Sequence, residues 1–195
     1  MSFQVHRREG HVTMPWANGA GTTREVAKAA SGETAFDWRL SFADVAASGP
    51  FSALPEVDRV ITLVEGTSMT LDVDGDEHVL VPFEPYRFAG ESAVDCSTDR
   101  PTVDFNVMTR RGRWTSAVES RALPGDVTVI DGAAPDAGGE RFVAVLDGFP
   151  GVIGPRGVLI VLRPYDVVRA GTEQLTLCGT GHVVVVDLRP TPTPV

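Results

Sequence analysis

The sequence predicts an all-β protein in which one chain forms two antiparallel β-barrel or jelly-roll halves. Helical periodicity is scarce, and 20 glycines and 14 prolines separate short runs rich in Val, Leu, Phe and Thr. Two sequence blocks of the first half recur in the same order in the second half. A chain of 195 residues, 43% of them hydrophobic, is long enough to bury a sizeable core in this way.

Short apolar runs bounded by turn residues define the predicted strands. They are Trp38–Phe42, Arg59–Val64, Met69–Val73, Val103–Thr109, Phe142–Leu146, Val158–Leu162 and Val183–Leu188. The Asp74-Gly75 pair predicts a tight hairpin between Leu71–Val73 and His78–Val81, because this dipeptide favours the backbone conformation of two-residue hairpin turns.

The internal repeat divides the chain. Arg59–Gly66 is echoed by Arg141–Gly148, and Val79–Gly90 is echoed by Val158–Gly171, with Pro-Tyr and Ala-Gly in both copies. Each half then ends in one further strand. Chance matches at two blocks in the same order are improbable, so the repeat predicts two structurally similar units.

A strand that ends in Glu-Gly or Asp-Gly, followed by a hairpin and a proline-containing turn, is similar to the cupin barrel. The glycines, Gly66 and Gly148, are expected at positive φ. Two copies predict a bicupin. We expect residues 1–112 to form the first cupin half, with the N-terminal strands and the candidate ligand pocket, and residues 113–195 to form a second, degenerate half.

The charge and the apolar runs exclude several classes of partner. The formal net charge is -9, which repels phosphate backbones, and the densest basic cluster (Arg110, Arg111 and Arg113) is typical of a solvated turn. No apolar run approaches the roughly 20 residues of a membrane helix. The N-terminal segment also lacks a signal-like apolar stretch. We therefore expect a cytoplasmic protein that binds neither nucleic acid nor membrane.

No metal-ligand, nucleophile or nucleotide motif is recognisable. The four histidines form no His-x-His pair, and the cysteines, Cys96 and Cys178, fit no metal or redox spacing. The Asn18–Gly21 segment lacks the third glycine of a dinucleotide-binding loop, and β-branched residues follow it. We therefore expect no metal, no cofactor and reduced cysteines, and we interpret Asn18–Gly21 as a bend that leads into a strand.

Strand alternation groups the polar residues into faces. Arg39 and Ser41 share one face of their strand, and Asp104, Asn106 and Met108 share one face of theirs. In a one-sided sheet such a face is exposed to water, whereas in a barrel it lines the lumen. The residues alone leave both alternatives open.

A set of spaced motifs resembles the HutD/Ves family of small bicupins. They lie within about residues 5 to 110: Met14–Glu25 (MPWANGAGTTRE), Phe36–Ser41, Gly49–Ser52, Asp58-Arg59, Glu65-Gly66 and Asp104–Met108. The resemblance implies a bicupin with no established reaction, associated with histidine-utilisation genes and proposed to bind a pathway intermediate. Ala20 departs from the family pattern, which has a glycine there, and its methyl group is expected to restrict the turn.

The resemblance favours the alternative in which these polar side chains line the lumen of the barrel. It also implies a binding site for a small acid or amide in the first half. Guanidinium groups pair strongly with carboxylates. The alternative is a structural network in which Glu25, Asp58, Glu65 or Asp104 neutralises the arginines. Trp16 and Trp38 are either an apolar wall of the pocket or plain core. The candidate ligand-binding residues are Asn18, Thr23, Arg24, Arg39, Ser41, Arg59, Asp104 and Asn106.

The leading functional hypothesis is a metal-independent binding protein for a small anionic metabolite that modulates histidine utilisation. An N-formylglutamate-like ligand is implied by the resemblance alone. The alternatives are a cofactor-free hydrolase, isomerase or lyase with Glu65 or Asp104 as general base, and a protein-interaction module. Catalytic residues stay unassigned. Bicupins often pair through apolar sheet faces, so a homodimer is also left open.

Overall fold

The computed structural model describes residues 3–31, 35–132, 138–154 and 157–192. Within them the chain forms one 3-10 helix, Arg8–Gly10, and seventeen strands. The strands are β1 (Phe3–His6), β2 (Val12–Pro15), β3 (Gly21–Ser31), β4 (Ala35–Val45), β5 (Gly49–Pro50), β6 (Val57–Glu65), β7 (Met69–Val73), β8 (Asp76–Leu80), β9 (Pro85–Ala89), β10 (Val94–Ser97), β11 (Thr102–Arg110), β12 (Trp114–Ile130), β13 (Glu140–Gly148), β14 (Gly151–Ile153), β15 (Leu159–Val161), β16 (Val167–Ala170) and β17 (Leu175–Pro190).

The predicted all-β class is confirmed, and the strands belong to two compact units. The first unit, His11–Thr115, has a six-stranded sheet in the order β2-β3-β4-β11-β6-β9 and a four-stranded sheet in the order β5-β10-β7-β8. The second unit contains Ser116–Thr191 and the N-terminal residues up to Gly10. Its sheet has the order β1-β16-β13-β17-β14-β15, and β12 also pairs with β17.

The boundary predicted between residues 112 and 113 lies close to the division between these units. Strand β1, which the sequence-based scheme grouped with the first half, pairs antiparallel with β16 of the second unit, from Phe3 opposite Ala170 to His6 opposite Val167. The motif pattern gave no signal for this pairing, because β1 has no counterpart in the repeat.

The internal repeat corresponds to equivalent positions in the two units. Strand β6 lies between β11 and β9, and its counterpart β13 lies between β17 and β16. Gly66 directly follows β6 and Gly148 ends β13, and both have positive φ, 116° and 79°. This confirms the conformation predicted for them.

The second repeated block aligns differently from the sequence-based interpretation. Phe83 has φ 69° and Tyr165 has φ 76°, and their N–H groups donate to the carbonyl oxygens of Leu63 and Val145 at 2.9 and 2.8 Å. The equivalent dipeptides are therefore Pro82-Phe83 and Pro164-Tyr165. The Pro85-Tyr86 pair, which matches the second copy by letter, lies within β9.

The predicted hairpin at Asp74-Gly75 is confirmed. Strands β7 and β8 pair from Val73 opposite Asp76 outward, and the two turn residues have φ 56° and 94°. The Asp72 carboxylate accepts a hydrogen bond of 2.8 Å from the N–H of Gly75. The turn residues thus fix the register of this edge of the four-stranded sheet.

The two units differ in what their interiors contain. The second unit contains a buried aliphatic cluster, in which Val143, Val145, Leu177 and Val183 are each 0% exposed. In the first unit an apolar cluster around Ile61 and Leu71 adjoins strands whose buried residues include several polar ones.

No helix among the described residues is long and apolar enough to cross a membrane.

Candidate functional site

The first unit contains a cavity of about 410 Å³. Its walls come from β3, β4, β6 and β11, from the loop that follows β2, and from the segment that begins at β5. The lining residues are Trp16, Ala17, Asn18, Thr23, Arg39, Ser41, Ala43, Pro50, Phe51, Ser52, Leu54, Arg59, Asp104, Asn106 and Met108.

Strand register brings the polar side chains to one face of the six-stranded sheet. Met108 of β11 lies opposite both Arg39 of β4 and Arg59 of β6, and Asn106 lies opposite Ser41. Because directly opposed residues point to the same side of a sheet, these residues share the cavity face. The predicted grouping of Arg39 with Ser41, and of Asp104 with Asn106 and Met108, is confirmed. The face lines the cavity, and its members are buried except for Arg39, which is half-buried.

A chain of hydrogen bonds joins three buried polar residues of this face. Nη2 of Arg59 donates to Oδ1 of Asn106 at 3.1 Å, and Nδ2 of Asn106 donates to Oδ1 of Asp104. The guanidinium of Arg59 also lies over the rings of Phe88 and Phe51, with its Cζ 4.8 and 5.3 Å from their centroids. The amide of Asn106 thus holds a cation and a carboxyl group in fixed orientation.

Burial dominates the protonation of this chain. Asp104 is 1% exposed, and the loss of hydration raises its pKa to about 7, although Arg59 and the Asn106 hydrogen bond act in the opposite direction. Burial also lowers the pKa of Arg59 to about 10, opposed by the charge of Asp104 and assisted by that of Arg39. Asp104 therefore changes charge close to neutral pH while Arg59 stays cationic.

Arg39 brings a second guanidinium to the cavity. Its Nη2 donates to Sδ of Met108 at 3.1 Å, and its Cζ lies 4.8 Å from the centroid of Phe36. Its Nε is buried and has no hydrogen-bond partner among the described residues. Burial lowers the pKa of Arg39, and the charge of Glu25 opposes that effect. A guanidinium has five N–H donors, and the bond to Met108 is the one that Arg39 makes among the described residues, so it has hydrogen-bonding capacity left for a ligand.

The loop from Trp16 to Gly21 forms one edge of the cavity and connects β2 with β3. Oδ1 of Asn18 accepts from the N–H of Ala20 at 3.0 Å, and Nε1 of Trp16 donates to Oγ1 of Thr23 at 2.8 Å. Gly19 has φ 70°, whereas Ala20 is not among the residues of positive φ. The Ala20 methyl group therefore does not strain the turn, contrary to the expectation from the family pattern.

Seven of the eight predicted ligand-binding residues line the cavity, and Arg24 does not. Arg24 lies opposite Phe42 on the other face of the sheet, where its Nη2 forms an ion pair of 2.8 Å with Oδ1 of Asp44. Thr23 and Arg24 are adjacent in one strand, so their side chains point to opposite faces. Including both in one site overlooked this alternation.

The positions of two further residues decide between alternatives that the sequence left open. Trp38 is buried on the face opposite the cavity and packs edge-on against Trp114, with centroids 6.4 Å apart, so it belongs to the core. Glu65 is exposed and does not line the cavity. Of the two carboxylates considered as general bases, only Asp104 is in the cavity.

The cover formed by Pro50, Phe51, Ser52 and Leu54 was not assigned to the site from the sequence. In the sequence, the Gly49–Ser52 motif is the only feature that indicates this segment. Strand periodicity could not place the segment in the site, because it lies largely outside regular strands. Phe51 packs edge-on against Trp16 with their centroids 6.3 Å apart. These two rings form the apolar wall of the cavity.

His6, His11 and His78 make ring contacts in the part of the chain that the structure describes. His78 stacks on Tyr86 at 3.8 Å and His11 stacks on Phe42 at 6.0 Å between centroids. No group of three or more His, Cys, Asp or Glu residues suited to a metal ion occurs among the described residues.

Comparison with known proteins gives consistent matches. The HutD family model matches residues 8–148. Protein Ves of Cronobacter sakazakii is 40% identical over 129 residues, which cover 60% of this chain and 71% of that protein. An uncharacterised 21.2 kDa protein encoded in the hutC 3′ region of Pseudomonas putida is 37% identical over 120 residues, 60% of this chain and 63% of that protein.

Solved structures extend the similarity to almost the whole chain. HutD from Pseudomonas fluorescens SBW25, determined in a formate condition, has a TM-score of 0.82 at 29% identity and covers 98% of this chain and 100% of that one. A cupin 2 conserved barrel domain protein from Leptotrichia buccalis has a TM-score of 0.56 at 10% identity, with 86% and 88% of the two chains covered, and shares the fold alone. The predicted cupin-type fold is confirmed.

Proposed function

The chain belongs to the HutD family, and on this premise we propose that the cavity of its first unit binds a small carboxylate or amide metabolite and thereby modulates histidine utilisation. The binding needs no metal in this proposal, because guanidinium, amide and hydroxyl groups hold the ligand. The gene of the Pseudomonas putida relative in the hutC 3′ region supports the connection with this pathway.

The observation that carries the proposal is a pair of cationic side chains in one cavity. Arg39 and Arg59 both line it, and neither forms an ion pair within the described residues. Asp104 is the only carboxyl group that the described residues contribute to the lining, and it is partly neutral near pH 7. The lining therefore has excess positive charge in a low-dielectric environment, where pairing with an anion is strong.

The other lining groups suit a small polar ligand. Ser41 and Asn106 offer hydroxyl and amide groups beside the guanidiniums, and Trp16 with Phe51 offers an apolar wall. A volume of about 410 Å³ is at the small end of the range for ligand pockets. A ligand with one or two carboxylates, or with a carboxylate and an amide, fits these properties.

A thermal-shift screen with small acids and amides at millimolar concentration tests the proposal. Formate is the minimal carboxylate probe, and N-formyl-L-glutamate combines carboxylates with an amide. A ligand present at 100 times its dissociation constant adds about 2.7 kcal/mol to the free energy of unfolding. Absence of any shift across the screen, checked by calorimetric titration, would contradict ligand binding at this cavity.

Asp104 favours one alternative function, general-base catalysis without a cofactor. A base works best when its pKa is near the working pH, and burial raises the pKa of Asp104 to about 7. Turnover of a bound acid or amide by the wild type, lost in Asp104→Asn while binding persists, would favour catalysis over binding alone.

A further inference from the structure

Among the described residues, Asp104 is the one acidic side chain in the cavity lining, and only one of its two carboxyl oxygens has a hydrogen-bond partner. Oδ1 accepts from Nδ2 of Asn106, whereas Oδ2 is buried and has no hydrogen-bond partner among the described residues. A buried acceptor without a partner costs free energy. A proton on Oδ2 would remove the charge of the carboxyl group and convert this acceptor into a donor.

The charged and titratable groups that surround Asp104 come from three neighbouring strands. Strand β4 contributes Arg39 and Asp44, β6 contributes Arg59, and β10 contributes Cys96. Burial raises the pKa of the Cys96 thiol to about 11, and the pKa of Arg59 is about 10. Cys96 and Arg59 therefore keep their protons between pH 6 and 8. Asp104 is the group suited to exchange a proton in this range.

A ligand carboxylate drawn to Arg39 and Arg59 enters the same cavity as Asp104. Two carboxylates in one dry site repel each other, and the repulsion is relieved when one of them takes a proton. The arginines favour the ionised form of the group that pairs with them. Asp104 is buried and its Oδ2 makes no hydrogen bond among the described residues, so it is the carboxyl group better placed to hold the proton.

We propose, on the basis of the proposed function above, that the cavity takes up its carboxylate ligand together with one proton from solvent, held on Oδ2 of Asp104. The proton returns to solvent when the ligand leaves, and no covalent bond of the ligand changes. The matching ligand class is an acid without an ammonium group, because such a group would add a third cation beside Arg39 and Arg59.

Isothermal titration of N-formyl-L-glutamate, with formate as a second probe, measures the proton directly when it is repeated in buffers of different ionisation enthalpy. We expect uptake of close to one proton per ligand at pH 8 and close to none at pH 6. By linkage the dissociation constant should weaken about 10-fold between these pH values. L-Glutamate, which differs in having a free ammonium group, should bind more weakly.

Two variants locate the proton. Asp104→Asn should abolish the uptake, and Asp44→Asn, which removes the other nearby carboxylate outside the cavity lining, should retain it. If the Asp104→Asn variant does not bind or fold, infrared difference spectra of the wild type at pH 8, with and without ligand, show whether a carboxyl group is protonated on binding. Ligand binding should then replace a carboxylate band by a carboxylic-acid band.

The outcomes separate the two proposals. Binding that is independent of pH and takes up no proton overturns the proton-coupled mechanism and leaves ligand binding intact. Uptake that persists in Asp104→Asn, or disappears in Asp44→Asn, also overturns it. If neither probe binds at pH 6 or at pH 8, the proposed function itself fails for these ligands, and the inference that rests on it fails too.

Discussion

Nη2 of Arg59 donates a hydrogen bond of 3.1 Å to Oδ1 of Asn106, and both residues are buried, with exposures of 6% and 4%. The amide nitrogen of the same Asn106 donates to Asp104. One neutral side chain thus satisfies a cation on one strand and a carboxyl group on its own strand. A change at this residue removes a partner from both ionisable groups at once.

Asn106→Ala should lower the free energy of unfolding by about 1–3 kcal/mol, because it leaves a buried donor and a buried acceptor without a partner. Urea denaturation at pH 7 measures the change. Asn18→Ala is the matched control and should cost less, since Asn18 is exposed and its side chain bonds, within the described residues, to the turn N–H of Ala20 alone. Equal stability of Asn106→Ala and the wild type would show that the hydrogen-bond chain contributes nothing to folding.

The raised pKa of Asp104 predicts how stability depends on pH. The group titrates near 3.8 when exposed and at about 7 in the folded protein, so within this window the folded state holds a proton that the unfolded state has released. The contribution of Asp104 to stability is therefore fully present below pH 3.8, decreases as pH rises, and levels off above about 7. An asparagine at this position cannot titrate, so the Asp104→Asn variant lacks this pH-dependent contribution.

Asp104→Asn should accordingly gain stability relative to the wild type as pH rises from 5 to 7, at roughly 1 kcal/mol per pH unit, and then stay level. Urea denaturation of both proteins at each pH isolates this group, because all other ionisable residues are shared. A difference between the two proteins that stays constant from pH 5 to 8 would mean that Asp104 is ionised throughout.

Arg39→Ala should abolish the thermal shift given by a small acid while the fold is retained, because the guanidinium supplies the charge that pairs with the ligand. The loss amounts to about 2.7 kcal/mol at a ligand concentration of 100 times the wild-type dissociation constant. Arg100→Ala removes an exposed positive charge from the same unit and is the control for net charge. A shift that survives in Arg39→Ala excludes Arg39 from the site.

The sequence predicts the sheet faces well because strand periodicity is a local property. Alternation grouped Arg39 with Ser41 and Asp104 with Asn106, and the observed register brings these pairs together across β4 and β11. The same rule separates Arg24 from Thr23. Arg24 was included in the predicted site because it lies in the Met14–Glu25 motif. A sequence motif does not show to which face of the sheet a side chain points.

Features that depend on distant pairing were beyond prediction. The Pro50–Leu54 cover and the pairing of β1 with β16 arise from contacts between segments far apart in the chain. No local pattern specifies them. The structural alignment of the second repeated block also differs from its sequence alignment. Phe83 and Tyr165 are equivalent in backbone conformation but differ in residue type.

Gly21, where β3 begins, has no room for a side chain. A Cβ atom there would lie 2.5 Å from the backbone oxygen of Asp44 and 2.9 Å from the ring of Trp16. Gly21→Ala should therefore destabilise the first unit by about 1–3 kcal/mol and weaken ligand binding through displacement of Trp16. Gly10→Ala, where an added Cβ meets nothing within 4 Å, should be nearly neutral in both assays. Similar results for the two variants would show that the Trp16 loop adjusts freely.

In the second unit, Asp166 fixes the segment that follows β1. Its Oδ2 accepts from Nη1 of Arg7 at 2.6 Å and from the N–H of Arg163 at 3.0 Å, and its Oδ1 accepts from the N–H of Arg8 at 3.1 Å. The carboxylate is only 1% exposed, so these charge-assisted bonds are little weakened by water.

Asp166→Asn should lower the free energy of unfolding by about 2–3 kcal/mol, because an amide nitrogen replaces one of two oxygens that both face donors. Hydrogen exchange should show faster exchange of the β1 amides as their anchor loosens. Glu9→Gln is the control: its ion pair with Arg163 spans 3.9 Å between side chains that are 71% and 70% exposed, and its loss should change stability by less than about 0.5 kcal/mol. If the two variants unfold at the same urea concentration, Asp166 does not anchor β1.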